Sequence, residues 1–389
     1  MPPIPPLDLT QQYQTLAPEV NAAVTNLLAS GRYIGGAAVA DFEQAFATYL
    51  GVSQVVGCNS GTDALYLALR ALDIGPGDEV ITSPFTFFAT AEMITAVGAT
   101  PVFVDIEADS LNLDLNQVEA AITPRTRALI PVHLFGQPLD LSRLCALAQA
   151  HHLAVIEDCA QAAGADWADQ KVGSWGDIGC FSFFPTKNLG ACGDGGAIST
   201  QNPDLAQKIR ILKEHGSPKR YYHTEIGINS RLDAVQALIL TIKLQYLDRW
   251  NGQRRAVADR YTQALQNIPG LLAPQPVAGG TSVWHQYTVR IATCNQTRHC
   301  EGSASPCNPT PQCRDWVRQQ LQQQDISTMV YYPVPLHQQA VYRSLGYQPG
   351  QLPIAEQAAR EVLSLPMFPE LTAEQQDRVT IALKTLLTA

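Results

Sequence analysis

Ala154-Val155-Ile156-Glu157-Asp158-Cys159-Ala160-Gln161 is a short apolar run that ends in two carboxylates and a polar turn. An apolar run of this length, bounded by polar residues, reads as a strand buried on both faces. Stretches of the same kind precede it: Asp78 to Ser83, Thr100 to Asp105 and Ala128 to His133. Between them lie amphipathic segments such as Leu139 to His151, with Leu141, Leu144, Cys145 and Ala148 at helical spacing. Alternation of strand and helix predicts an α/β fold with a mostly parallel central sheet flanked by helices. Gly179 to Phe184 and Gly195 to Thr200 read as further strands, and a helix follows from Pro203.

The 389 residues exceed what one core usually organises. We expect a large α/β domain over 41–250 and a smaller α+β domain over 251–389, with a strand at Val283 to Ile291 and a helix after Pro311. Residues 1–40 read as an N-terminal arm carrying a helix at Pro18 to Leu28 and a turn at Gly31 to Gly36. With 46% hydrophobic and 16% charged residues the composition is that of a soluble globular protein. The net charge of -9 and the lack of a basic run argue against nucleic acid. No secretory signal and no run of about 18 apolar residues is present, so a cytoplasmic location without membrane attachment is expected. Nine cysteines, an odd number in a chain of this size, point to reduced thiols. Four of them, Cys294, Cys300, Cys307 and Cys313, lie with His299 in a polar, proline-broken insert at 293–313. Four cysteines and a histidine could supply a zinc shell, but the spacings lack the short pairs of a chelating knuckle; no metal is expected.

In open parallel sheets, ligands sit beyond the carboxyl ends of the strands, and three junctions of that kind carry chemistry. Gly57-Cys58-Asn59-Ser60-Gly61-Thr62-Asp63-Ala64 leads from a strand into a helix. Its free N-H groups and hydroxyls would bind a phosphate, or the segment is simply a capped helix. Asp158, buried at a strand end, needs a cation. A protonated pyridine nitrogen would serve, and so would a structural arginine. In Phe181-Ser182-Phe183-Phe184-Pro185-Thr186-Lys187-Asn188-Leu189-Gly190 a lysine follows an aromatic strand and precedes a glycine-rich turn, a setting that favours a neutral, nucleophilic amine. Such a lysine could anchor an aldehyde cofactor and move protons; Ser182 would hold the same phosphate.

With these motifs the chain resembles the DegT/DnrJ/EryC1/StrS sugar aminotransferases, which have the fold-type-I pyridoxal-phosphate architecture. The carriers span nearly the whole chain: Ser30 to Gly36, Asn59 to Ala64, Pro84-Phe85-Thr86-Phe87, Pro131-Val132-His133-Leu134-Phe135-Gly136-Gln137, Glu157 to Gln161, Ser182 to Lys187 and Gly227-Ile228-Asn229-Ser230-Arg231. The resemblance implies that Lys187 forms the Schiff base with pyridoxal 5'-phosphate and that Asp158 faces the pyridine nitrogen. It also implies that Gln161 lies near the ring and its phenolic oxygen, that Phe87 stacks on the ring, and that Gly61, Thr62 and Ser182 hold the phosphate. Asn229 would reach the phosphate of a neighbouring subunit, so a homodimer with shared sites is expected. Lysine at 187 separates the chain from dehydratases of the family, which carry histidine there.

The implied reaction moves an amino group from L-glutamate to a nucleotide-linked keto-sugar, with the segment Tyr331-Tyr332-Pro333-Val334-Pro335-Leu336-His337 and the His133 to Gln137 run pointing to carbon 3. Tyr33, His133, His215, Arg231 and His337 are the candidate substrate residues. Two other readings stand beside this one: a non-catalytic regulator of the same fold, and an amino-acid aminotransferase.

Overall fold

The computed structural model describes residues 2–293 and 313–388. Cys294, His299, Cys300 and Cys307 of the insert lie outside the described residues. Seven strands form the central sheet: β1 (Gln54–Cys58), β2 (Glu79–Thr82), β3 (Thr100–Phe103), β4 (Thr126–Ile130), β5 (Ala154–Asp158), β6 (Ile178–Ser182) and β7 (Gly196–Thr200), in spatial order β1-β7-β6-β5-β4-β2-β3. All run parallel except β7, which is antiparallel to both β1 and β6. The order places the carboxyl ends of β5 and β6 side by side at the middle of the sheet.

Helices α1 (Thr10–Ser30), α2 (Ala37–Leu50), α3 (Gly61–Ala71), α4 (Ala89–Ala96), α5 (Leu141–Ala150), α6 (Pro203–Leu212) and α7 (Ala234–Leu244) cover the sheet. The two-residue period of a strand divides its side chains between two cores. Phe181 of β6 and Phe183 just beyond its end pack with Phe42 and Phe46 of α2, and Phe46 meets Phe181 edge-on at 5.0 Å between ring centres. Ile178 and Cys180 face the other way, into the core beneath α3 and α6. Ile156 of β5 belongs to that second core and Val155 to the first. It follows that Asp158 and Ser182 emerge on the α3 side, and Glu157 on the opposite side.

A second, three-stranded antiparallel sheet joins β8 (Leu271–Leu272), β9 (Tyr287–Ile291) and β10 (Val362–Leu365). Helices α8 (Leu247–Leu265), α9 (Cys313–Gln322) and α11 (Ala373–Thr388) build its core, and α10 (Pro353–Glu361) leads into β10. Each large apolar side chain buried in such a core contributes about 1.5–3 kcal/mol.

Three features depart from the sequence reading. Helix α1 is longer than expected, running through Pro18, and packs Leu16 and Val20 on Ile239, Ile242 and Trp250. The first residues are more than an arm: Ile4 is fully buried in the core of the three-stranded sheet and pairs with Ile326. Strand β9 begins only at Tyr287, because residues 283–286 are tied instead to the large sheet's loops, Val283 N donating to Gly136 O and Gln286 N to Phe135 O. Gly136, at φ +88°, permits that approach; a Cβ there would stand 2.9 Å from His285 N and 3.0 Å from Gln161 O.

Cys58, Cys145, Cys159, Cys180 and Cys192 are free, as reduced thiols would be. Cys313 is disulfide-bonded, which corrects the expectation for that residue. Among the described residues no helix is long and apolar enough to cross a membrane.

Candidate active site

A cavity of about 660 Å³ opens at the carboxyl ends of β5 and β6 and is lined by Gly61, Thr62, Phe87, Asp158, Gln161, Ser182 and Lys187 together. One wall is the start of α3. Ser60 caps this helix, its Oγ accepting from Asp63 N at 3.1 Å. The amides of Gly61 and Thr62 precede the first residue whose N-H an intrahelical carbonyl takes, so they remain as donors at the positive end of the helix. Gly61 is constrained by proximity: a Cβ there would stand 2.6 Å from Ser182 Cβ. Helix start and serine hydroxyl therefore form one cradle for an anion.

At the floor, Asp158 is buried and held at both oxygens. Thr90 Oγ1 donates to Oδ2 at 2.8 Å, and Ala160 N donates to Oδ1 at 3.1 Å. Burial pushes its carboxyl pKa up, while the bonds from Thr90 and Ala160 and the charge of Lys187 pull it back. Such a carboxylate is suited to a cationic partner in the cavity. Lys187 lines the same cavity. Burial pushes its amine down to about 8, opposed by the charge of Asp158; at pH 7 about a tenth is then the free nucleophile, far more than for an ordinary lysine.

Gln161 is fixed by two bonds. Its Oε1 accepts from Phe135 N at 2.7 Å and its Nε2 donates to Tyr332 Oη at 3.1 Å. Phe135 sits at φ +58°, a left-handed backbone that a bulky residue seldom adopts, and its amide is thereby turned to the glutamine. Phe87, half-exposed, forms part of the rim with Phe184.

The candidate substrate residues are not on this wall. His133 is fully buried with Nε2 at 3.0 Å from Glu157, on the other side of the sheet from Asp158. Glu157 also accepts from the amides of Gly173, Trp175 and Gly176, so it is a structural anchor for that loop. This geometry corrects the expectation for His133. His337 is corrected likewise: it is buried against Glu356 at 3.3 Å, whereas Leu336 and Gln339 of the same turn line the cavity. Tyr33, His215, Asn229 and Arg231 gather on a separate outer face of the chain. Ala234 N donates to Tyr33 O, His215 N to Ile228 O, Asn229 bridges Glu214, and Arg231 pairs with Glu214 at 3.1 Å. None of the four reaches the cavity of its own chain.

Sequence reasoning assigns no individual role to Thr86, Thr90, His285 or Tyr332, although Thr86 and Tyr332 lie in segments that carry the resemblance. Thr86 lies within a quoted motif and Thr90 four residues on, which is the spacing that lets one hydroxyl meet the other on a helical turn; the signal was there. His285 and Tyr332 come from beyond residue 250 and are placed only by the packing of the second sheet.

The donor set fits pyridoxal 5'-phosphate: an anion cradle, a carboxylate able to face a pyridinium, and an amine of lowered pKa converge on one cavity. Comparison with known proteins agrees. The model of the DegT/DnrJ/EryC1/StrS aminotransferase family matches residues 14–384. The chain is 49% identical to a pleiotropic regulatory protein of Geobacillus stearothermophilus, over 97% of this chain and 96% of that one. It is 45% identical to a UDP-N-acetyl-3-dehydro-alpha-D-glucosamine 3-aminotransferase of Acidithiobacillus ferrooxidans, over 99% and 98%. The solved structure of DesV from S. venezuelae, in complex with a ketimine intermediate, superimposes with a TM-score of 0.93 at 43% identity, covering 100% of both chains.

Proposed function

The chain belongs to the DegT/DnrJ/EryC1/StrS aminotransferase family, a pyridoxal-phosphate-dependent transaminase of nucleotide-linked keto-sugars, and from that premise we propose its donor, regiochemistry and assembly. L-Glutamate is the amino donor, carbon 3 of the sugar is the acceptor, and the enzyme works as a homodimer in the cytoplasm, where nucleotide sugars and glutamate occur. The observation that carries the reading is the convergence of Lys187, Asp158 and the Gly61/Ser182 cradle on one cavity.

When bound, pyridoxal phosphate supplies the carbonyl that takes up the amine and the ring that accepts electrons. The residues do the rest. The amides of Gly61 and Thr62 and the hydroxyls of Thr62 and Ser182 hold the phosphate. Asp158 keeps a proton on the pyridine nitrogen through charge, and Thr90 holds the carboxylate still. Lys187, with its amine at about 8, carries a proton at Nζ from one carbon to another. Gln161 and Phe87 orient the ring and exclude water. Relatives that act on carbon 3 of UDP- and dTDP-linked sugars support the regiochemistry.

For the dimer, the support is the outer face that carries Asn229. Tyr33, Ile34, Tyr221, Tyr222 and Ile226 are exposed around it, an apolar surface of the kind that partner chains cover. Asn229 and Arg231 of one chain would then serve the phosphate and substrate of the other.

The test is spectroscopic. Protein supplied with pyridoxal phosphate should show a visible absorption band that L-glutamate bleaches, absent in Lys187→Ala. Turnover should follow with a UDP- or dTDP-linked 3-keto-sugar. A band without turnover of any keto-sugar, but with exchange between amino and 2-oxo acids, would move the assignment to an amino-acid aminotransferase; no band at all would leave the regulator.

A further inference from the structure

His285 lines the cavity together with Lys187, Asp158 and Gln161. It is buried, and so are its polar neighbours Asn188 and Asn251. The protonation of its ring is decided by a chain of hydrogen bonds that can be read in one direction only. The carbonyls of Ala163 and Val283 accept and cannot donate. Asn251 therefore turns its Nδ2 to Ala163 O, 3.1 Å away, and presents Oδ1 to Asn188. Asn188 Nδ2 donates to that Oδ1 at 2.8 Å and to Val283 O at 2.9 Å. Both amide hydrogens are then committed, and only Oδ1 of Asn188 faces His285 Nδ1, at 3.2 Å. Nδ1 must carry the proton. Flipping any member would set donor against donor or carbonyl against carbonyl in a buried place, leaving groups there without a partner.

The other ring nitrogen, Nε2, is left with its lone pair. Two cations act on the ring and no carboxylate is bonded to it. Arg254, fully buried, donates to the carbonyls of Trp284, His285 and Met367 and so pins the backbone at this point. Lys187 is the second cation. Burial, with the charges of Lys187 and Arg254, holds the imidazole well below its usual pKa, so the ring does not become a cation.

We propose that His285 is a positioning residue for Lys187, its Nε2 serving as a fixed hydrogen-bond acceptor for the Lys187 ammonium in the cavity. The proposal rests on the reading of Lys187 as the reacting amine. No proton is transferred to the ring. When Lys187 has taken a proton, His285 accepts a hydrogen bond from Nζ and holds that proton in place until the lysine returns it. Asn188, the residue next to Lys187 in the chain, is what commits the ring to this task, so the amine and the group that orients it are tied through one segment of backbone.

The experiment reads the ring directly in cofactor-free protein. With nitrogen-15 histidine, the signals of His285, identified by their absence in His285→Leu, should be those of the Nδ1-H form and should not titrate between about pH 5.5 and 8.5. In the same cofactor-free protein, the pH midpoint for acylation of the Lys187 amine should fall by about one unit in His285→Leu, because the ammonium loses its acceptor. Asn188→Leu, which leaves the histidine in place, should release the tautomer and shift the lysine midpoint the same way. With cofactor and keto-sugar, His285→Leu should lower kcat by about ten- to a hundredfold and leave KM within about threefold. An Nε2-H ring, a ring that titrates near its ordinary pKa, an unchanged lysine midpoint, or a rise in KM with kcat intact would each overturn the proposal. Since the first two readings need no turnover, they stand or fall apart from the transaminase assignment.

Discussion

Thr90 Oγ1 lies 2.8 Å from Asp158 Oδ2, and 3.2 Å from the hydroxyl of Thr86. Thr90 has one proton and Asp158 in its ionised form only accepts, so the Thr90 proton goes to the carboxylate and Thr86 donates to Thr90. The pair forms a relay that fixes the carboxylate's direction. A hydrogen bond to a charged group contributes about 1.5–3 kcal/mol. Thr90→Val, nearly the same shape, should therefore lower turnover about ten- to a hundredfold with thermal stability near that of the parent; steady-state kinetics beside a melting curve checks this.

The Lys187 amine is displaced to about 8 from the ordinary 10.5. Its reaction with an added aldehyde should rise with pH with a midpoint near 8, and Asp158→Asn should move that midpoint lower still, since the charge of Asp158 favours the ammonium. The sign for stability follows. Between about 8 and 10.5 the unfolded chain binds the proton that the folded chain has released, so the stability owed to this residue rises with pH across that window. Denaturant titrations of parent and Lys187→Met at the two ends of the window should diverge in that direction.

At Gly61 the constraint is space. A methyl group there would stand 2.6 Å from Ser182 Cβ, so Gly61→Ala should push β6 and α3 apart at the cradle. Cofactor affinity, measured by absorbance titration, should fall by at least about tenfold, or about 1.4 kcal/mol. Ser182→Ala removes only a donor and should cost less.

If the outer face around Asn229 meets a second chain, two defective variants can repair each other. Lys187→Ala and Asn229→Ala, each inactive alone, should regain activity when unfolded together and refolded, with about a quarter of sites intact in a random mixture of symmetric dimers. No recovery, with dimers present by sedimentation, would assign Asn229 to its own chain.

Arg254 is a structural prediction. Its guanidinium serves three carbonyls from two segments of chain in a buried setting, and burial lowers its pKa to about 10. Arg254→Leu should destabilise the fold by roughly 3 kcal/mol or more, since it leaves buried carbonyls unpaired. All three bonds come from Nη1, so Arg254→Lys, whose single nitrogen carries three donors, should recover part of that loss. Urea midpoints measure both.

Legibility divided along physical lines. The strands, the βα alternation and the residues at strand ends could be read because each depends on a local pattern: apolar runs, helical spacing, a glycine before a helix. Asp158 and Glu157 show where that stops. Side by side in sequence, they differ in role because strand period sends one to the cavity and the other to the Gly173–Gly176 amides. His133 looked like a substrate residue from its motif and is consumed by Glu157 instead. His285 had no local signal, and Tyr332, although its segment pointed to carbon 3, carried no sign of its bond to Gln161. The place of His285 comes from the crossing at Gly136, where segments more than a hundred residues apart in sequence touch.

Ile4 has a consequence for the order in which the molecule can be made. It lies among Leu321, Leu363 and Leu383 and shares backbone bonds with Asp325 and Ser327. A ribosome releases Ile4 about 320 residues before the segment it pairs with, so the start of the chain must wait, solvated and apolar, while the large sheet assembles. Closure of this core thus waits until both segments have been made, and it ties together parts of the chain that lie far apart in sequence.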